Sequence, residues 1–419
     1  MHGQEHVPTA VIGLLGAAVA TCVLHLAGDR HGAAALALIG PVWALLAVAS
    51  ARRTDVHLLF IGLVALATRL VLVGTPPLLS DDLYRYLWEG HVLNAGGNPF
   101  TTPPSAIIGL DDSLRSLVNH PDIPSIYPPL ALVWFRMLDA IADRAFVAQA
   151  AASLADVGTA MLIGLAARTR IGAAWPGLLY AAHPLAVLES GSSAHLEAPA
   201  VLLLTAAVVA HDRRWPTVSG FLWALGAGTK VFPASVGPAF RQRNALLGAG
   251  LGLIVVGLAA IPVLGAGPAL LTAFTNYNRH WSFNGFTYPW LGAVVGTYDR
   301  PLLVLIGVGT ALYAHRVRRD PVDVWLMIAA AFLFLTPTAH PWYGLWALAP
   351  ALITGRRDWA LALGWSTVSY AVLSTIDAAG VWREPWWLWP VTWLPIVLAL
   401  TASAMYPAAI SARNGTDAG

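Results

Sequence analysis

Residues 245–264 read ALLGAGLGLIVVGLAAIPVL, an apolar run without a single charge. A run of about 20 such residues can cross a bilayer as a helix. Its apolar residues do not alternate with a period of two, which separates it from a barrel strand. Runs of the same Ala-, Leu-, Val- and Gly-rich kind recur near 8–27, 34–50, 57–74, 146–167, 172–187, 199–211, 215–228, 231–240, 300–315, 322–338, 342–354, 359–376 and 389–410. Several fall short of the about 20 residues of an untilted crossing, so broken or half helices are expected among them. Backbone groups inside a bilayer must pair within the chain, and helices achieve this. The expected fold class is all-α integral membrane: a polytopic helical bundle of about 11–14 transmembrane or broken helices. It forms one domain over 1–419.

Composition points the same way. Of 419 residues, 57% are hydrophobic and only 11% charged, against about 25% charged in a soluble domain. So few charges cannot coat a soluble surface of this size. The single Cys22 lies inside the first apolar run, which excludes an intrachain disulfide and a thiolate cluster. The N-terminus has neither the basic head nor the small-residue cleavage site of a signal peptide, so the first run is expected to be retained.

The net charge of +2 says little, but its distribution sets a topology. Arg52 and Arg53, Arg168 and Arg170, Arg213 and Arg214, Arg241 and Arg243, Arg316 with Arg318 and Arg319, and Arg356 with Arg357 fall in alternate short loops. Positive loops face the cytoplasm. Both termini are then inside, and 75–145 is the first large extracytoplasmic loop. Loops near 189–198, 265–298, 338–342 and 377–388 join it outside. The alternation requires 125–142 to lie along the outer surface or to re-enter. Trp382, Trp386, Trp387 and Trp389 read as an interfacial aromatic belt.

The outer segments also gather Asp81, Asp82, Glu89, Asp111, Asp112, Asp122, Glu189 and Glu384. Acids at a membrane boundary are costly and often functional. The densest patch runs Ser80-Asp81-Asp82-Leu83-Tyr84-Arg85-Tyr86-Leu87-Trp88-Glu89-Gly90-His91 and ends in Gly97-Asn98-Pro99-Phe100. Thr75-Pro76-Pro77 favours an extended exit from the preceding helix, after which Asp82 to Gly90 can form a short interfacial helix. On it Asp82, Tyr86 and Glu89 share a face, and Asp81 points elsewhere. Helix capping by Ser80 or Asp81 would account for one acid and leave the rest of the cluster unexplained.

Lys230 is the only lysine. It stands between two short apolar runs, with Gly228 and Pro233 beside it, so a helix is expected to break there. A half-helix end bearing a lysine suits a phosphate, with snorkelling to the interface as the plainer alternative. Arg85, Arg279 and His280 are further cationic candidates. His195 and Glu197 are two residues apart and splay apart on a helix, which argues against a compact metal pair. No metal and no cofactor are expected, and no nucleotide-binding motif or nucleic-acid signature is present.

The outer-loop motif resembles one in a known family. Asp81-Asp82-Leu83-Tyr84-Arg85-Tyr86-Leu87-Trp88-Glu89-Gly90, then Gly97-Asn98-Pro99-Phe100 and Ile126-Tyr127-Pro128-Pro129, look like the first outer loop of GT-C fold polyprenyl-phosphate-mannose-dependent mannosyltransferases. Glu189 with His195-Leu196-Glu197, Gly228-Thr229-Lys230-Val231-Phe232-Pro233, Trp281-Ser282-Phe283-Asn284 and His340-Pro341-Trp342-Tyr343 extend the likeness to about Pro350. Three apolar runs precede the loop where many members have one, which is a departure.

The resemblance implies an acid at the start of the loop acting as general base, either Asp82 or Asp81. It implies substrate contacts from Tyr86, Arg85, Glu89, Lys230, Arg279, His280, His340 and Tyr343. The implied partners are a polyprenyl-phosphate sugar donor, a lipid or glycan acceptor, and membrane lipids. The implied location is the cell membrane, multi-pass, with the site facing the extracytoplasmic side. A lipid or sugar transporter or flippase is the competing class, because broken helices with a lysine serve it equally well. A non-catalytic assembly factor is a third.

Overall fold

The computed structural model describes residues 40, 42–43, 56–142, 144–376 and 383–405. The expected span 8–27, most of 34–50, Cys22, Arg52, Arg53 and Trp382 lie outside the described residues. Among the described residues every regular element is helical, and the chain is an all-helical membrane protein.

Helix α1 (Leu58–Leu70) leads into the segment 75–145, where α2 (Asp82–Asn94) lies against α3 (Pro129–Ile141). Both have 13 residues, about 20 Å at 1.5 Å per residue, which is too short for a crossing. Gly90 makes their approach possible, because a Cβ there would collide with the Phe135 carbonyl.

Helix α4 (Ala145–Ile171) is 27 residues long and stops at Gly172, whose φ of 73° ends it in the left-handed conformation. Arg168 and Arg170 in its last turn complement the helix dipole. Arg170 also pairs with Asp212 at 2.7 Å and Asp320 at 2.9 Å, tying three helix ends together at that face.

The expected span 172–187 is two helices, α5 (Trp175–Ala181) and α6 (Pro184–Gly191). Pro184 has no N–H to donate, and His183 before it is extended, so one helix stops and another restarts. Next come α7 (Glu197–Asp212), α8 (Pro216–Thr229) and α9 (Arg243–Ala260). Gly248 on α9 lets the two helices meet backbone to backbone at Thr217, the small-residue contact common between membrane helices.

Beyond α9 the structure departs from the expected spans. The segment 265–298 contains α10 (Pro268–His280) and α11 (Tyr288–Val295), and the latter runs on through a tight turn into α12 (Asp299–Val317). Tyr288–Val317 is therefore one apolar helical stretch of 30 residues, longer than the expected 300–315. Arg300 does not end it, because its guanidinium sits over the Tyr288 ring at 4.8 Å and donates to the Trp281 carbonyl. Helix α13 (Pro321–Leu335) and the short α14 (Leu345–Ile353) follow.

Length and burial sort oppositely. Every residue of the nine-residue α14 is buried, as are all of α5 and α6. Among the described residues, two of the three helices long enough to cross expose their flanks, the windows of Arg243–Ala266 and Tyr288–Val317 being 22% and 6% buried, whereas that of α4 is 56% buried. Exposed Leu246, Leu251, Leu258, Val304, Leu305 and Leu312 on these helices need lipid as their neighbour. Broken helices thus form the interior and two of the continuous ones the lipid face.

Candidate active site

The first turn of α2 places the two adjacent acids. Asp81 stands at the N-cap, yet its carboxylate makes no capping hydrogen bond. Asn119, from the loop before α3, instead donates its side-chain amide to Asp81 at 2.8 Å and to Asp82 at 2.6 Å. Asp81 therefore does not point away from its neighbour, as helical spacing alone suggested; the two carboxylates converge on one amide. Asp81 is exposed, whereas Asp82 is only partly so.

Arg85 holds that loop. Its guanidinium donates to the carbonyls of Asn119, His120 and Ile123 and to Oδ1 of Asn119. It also pairs with Glu89 at 3.4 Å. With its donors engaged in this way, Arg85 clamps the loop before α3. Glu89 is 1% exposed and accepts from Ser125 at 2.6 Å. Burial pushes Glu89 up to about 7 against the pull of Arg85, and it serves the clamp rather than the open site.

A second group reaches Asp82 from the connection between α6 and α7. His195 bonds through Nδ1 to Glu189 at 2.6 Å and through Nε2 to Ser80 Oγ at 3.1 Å. Its Nε2 also lies 3.7 Å from Asp82. Ala194, immediately before it, has φ of 53°, a strained conformation for a residue with a Cβ, and strain of this kind concentrates at functional sites. Burial disfavours a charge on His195, but Glu189 and Asp82 outweigh it and raise the imidazole to about 10. The resulting imidazolium donates from both nitrogens. Burial also opposes ionisation of Asp82, but the hydrogen bond and charge of His195, with Asn119, hold it well below the usual carboxylate range.

The elevated pKa of His195 makes a stability prediction. The folded chain keeps this proton more tightly than the unfolded chain, whose histidine has the ordinary value of 6.5. The stabilisation is complete below that pH and is lost as pH rises toward about 10. The thermal unfolding midpoint should therefore fall across this window in the wild type and fall less in His195→Gln. Equal declines would assign the loss to other groups.

Aromatic rings roof the site. Trp342 stacks on His195 and on His340, both with centroids 4.1 Å apart, and Phe283 covers the other side of His340. Isolated bridges between Thr338 and Phe283 or Asn284 join the two outer loops that supply these rings. Burial lowers the His340 pKa to about 3, so its imidazole is neutral. Tyr343 and Tyr277 meet hydroxyl to hydroxyl at 3.3 Å.

Opposite Asp82, α8 ends at Thr229 and Lys230 continues extended. Its ammonium pairs with Glu197 at 2.8 Å and is 23% exposed, while Glu197 is fully buried. His340 feels the charges of both Asp82 and Lys230, and Tyr343 those of Glu197 and Asp82, so the acid and the lysine share one neighbourhood, the candidate substrate chamber. Tyr86 and Tyr127 line it from the α2 side. Of the remaining candidates, Arg279 is exposed on α10 and the side chain of His280 lies outside the described residues.

Sequence reasoning missed Asn119 and Ser80, and it weighed Glu189, His195 and Glu197 without assigning them to the site. The clue was the acid-rich run from Glu189 to Glu197, whose apparent splay turns out to send His195 to Asp82 and Glu197 to Lys230.

Residues 33–242, half of the chain, match a family model described as Alpha-(1->6)-mannopyranosyltransferase, N-terminal domain. The match contains Asp82, Asn119, Glu189, His195, Glu197 and Lys230, and it ends before Tyr277, His340 and Tyr343. No curated protein and no solved structure matches the chain significantly.

Proposed function

The chain belongs to the Alpha-(1->6)-mannopyranosyltransferase family, and on that premise we propose that it transfers mannose from a polyprenyl phosphate to a hydroxyl of a lipid or glycan acceptor. In this reading the protein is multi-pass and its site opens to the extracytoplasmic side, where a lipid carrier delivers the sugar. Asp82 removes the proton from the acceptor hydroxyl as that oxygen attacks the anomeric carbon. The bond from that carbon to the phosphate oxygen breaks, its electron pair leaves with the phosphate, and configuration inverts. One base suffices because phosphate is a good leaving group, so the paired carboxylates of a hydrolase are unnecessary. Lys230 faces the charge developing on the phosphate, where a fixed cation is worth more than it is in water.

The observation that carries this reading is the setting of Asp82. Its carboxylate sits between the Asn119 amide and the His195 imidazolium, in a chamber whose other wall bears Lys230. Asp81 is the weaker choice of base, because it is exposed and has no contact with His195. Neutral His340 and Tyr343 stand beside the chamber as hydrogen-bonding groups for the substrates.

The test is purified protein in nanodiscs with polyprenyl-phosphate mannose, or a nucleotide-linked mannose, and a panel of glycolipid acceptors. Product is expected with the lipid-linked donor alone, at a rate that a chelator does not change. Transfer from the nucleotide-linked donor would overturn the reading, and loss with chelator restored by Mg²⁺ or Mn²⁺ would overturn the metal-free mechanism.

A further inference from the structure

Glu197 opens α7 and is fully buried, and the ammonium of Lys230 is its close charged neighbour. The contact is an ion pair at 2.8 Å to Oε1 and lacks the alignment of a hydrogen bond, while Oε2 has no partner. A desolvated carboxylate oxygen without a donor is costly and rare in a folded protein, and it asks for a ligand. The charge of Glu197 bears on Tyr86, Tyr277 and Tyr343, the same tyrosines that feel Asp82. The carboxylate therefore lies near the tyrosines that surround Asp82. An anion would be repelled there and drawn to Lys230 instead, whereas a neutral hydroxyl would supply the missing donor.

We propose that Glu197 accepts a hydrogen bond from a hydroxyl of the donor sugar ring, making it a specificity-determining residue next to the phosphate-facing lysine. The inference rests on the transferase reading above. Lys230 neutralises the leaving group, and Glu197 selects which hexose is attached to it. One hydroxyl of the ring, correctly oriented, completes the shell of Oε2. A sugar lacking that hydroxyl, or carrying it on the opposite face, leaves the carboxylate oxygen buried and unmatched.

The experiment compares polyprenyl-phosphate mannose with its 2-, 3-, 4- and 6-deoxy analogues in the wild type, Glu197→Gln and Glu197→Asp. A hydrogen bond to a charged group makes omission of one particular hydroxyl cost the wild type about 10- to 100-fold in kcat/KM. In Glu197→Gln that selectivity is expected to shrink to a few-fold, with the other positions unaffected. Glu197→Asp, which keeps the charge and the lysine pair, guards against a folding defect and should reduce the same position alone. A uniform loss across all donors in both variants would make Glu197 only the counterion of Lys230 and overturn the inference while leaving the transferase reading intact. A wild type inactive with polyprenyl-phosphate mannose overturns both.

Discussion

Asp82→Asn is expected to lower kcat for mannosyl transfer by about 10²- to 10⁴-fold, the range for loss of a general base. The substitution preserves volume, and the new carboxamide oxygen can still accept from Asn119, which now bonds Oδ1 at 2.6 Å. The loop clamped by Arg85 should therefore stay folded, and donor affinity should change little. Asp81→Asn should be far milder, because Asp81 shares the asparagine but not the histidine. Single-turnover rates of the two variants, with donor binding measured separately, check this. Full turnover in Asp82→Asn with loss in Asp81→Asn would move the base by one residue.

The second large effect is expected far from the chemistry. Arg69 on α1 and Asp156 on α4 are both essentially inaccessible and pair at 2.6 Å. Asp156 also accepts from Tyr180 at 2.6 Å and from Ser190 at 3.1 Å, and Arg69 donates to the carbonyl of Ala181. The pair thus pins α5 and α6 where the chain breaks between them. Removing one partner of a buried ion pair typically costs about 3–5 kcal/mol, because the other charge is stranded. Arg69→Leu should accordingly lower the unfolding midpoint of the protein in detergent by many degrees. It should also impair transfer, since Ser190 is the neighbour of Glu189, which orients His195. The double variant Arg69→Leu, Asp156→Leu should regain most of the stability, because apolar replacements of both partners are often tolerated. A double variant as unstable as the single one would mean that the remaining contacts of Asp156, and not the charge pair, hold the helices.

Neither Arg69 nor Asp156 stands out in the sequence. Each sits inside an apolar run whose average still reads as a membrane helix, and 87 positions separate them. Helical periodicity reports which residues share a face of one element and is silent about which elements meet. The same gap hid Asn119, 37 residues from Asp82, and the lysine pairing of Glu197. His195 and Glu189 are close in sequence, but on a helix a separation of six residues puts them on different faces. They meet because Ala194 takes a left-handed turn, a choice that no local preference favours.

Local chemistry by itself determined a good deal. The apolar runs and the scarcity of charge placed the chain in lipid, where only helices or a closed barrel satisfy the backbone, and the lack of period-two alternation selected helices. The prolines and glycines marked where helices break, and the crowded acids after residue 80 marked the candidate site. Tertiary structure alone decided which acid gains a histidine, which buried acid pairs with the lysine, and which short helices are interior. Those outcomes depend on burial and on contacts between distant segments, and a carboxylate acquires its character from what the folded chain brings within a few ångströms of it.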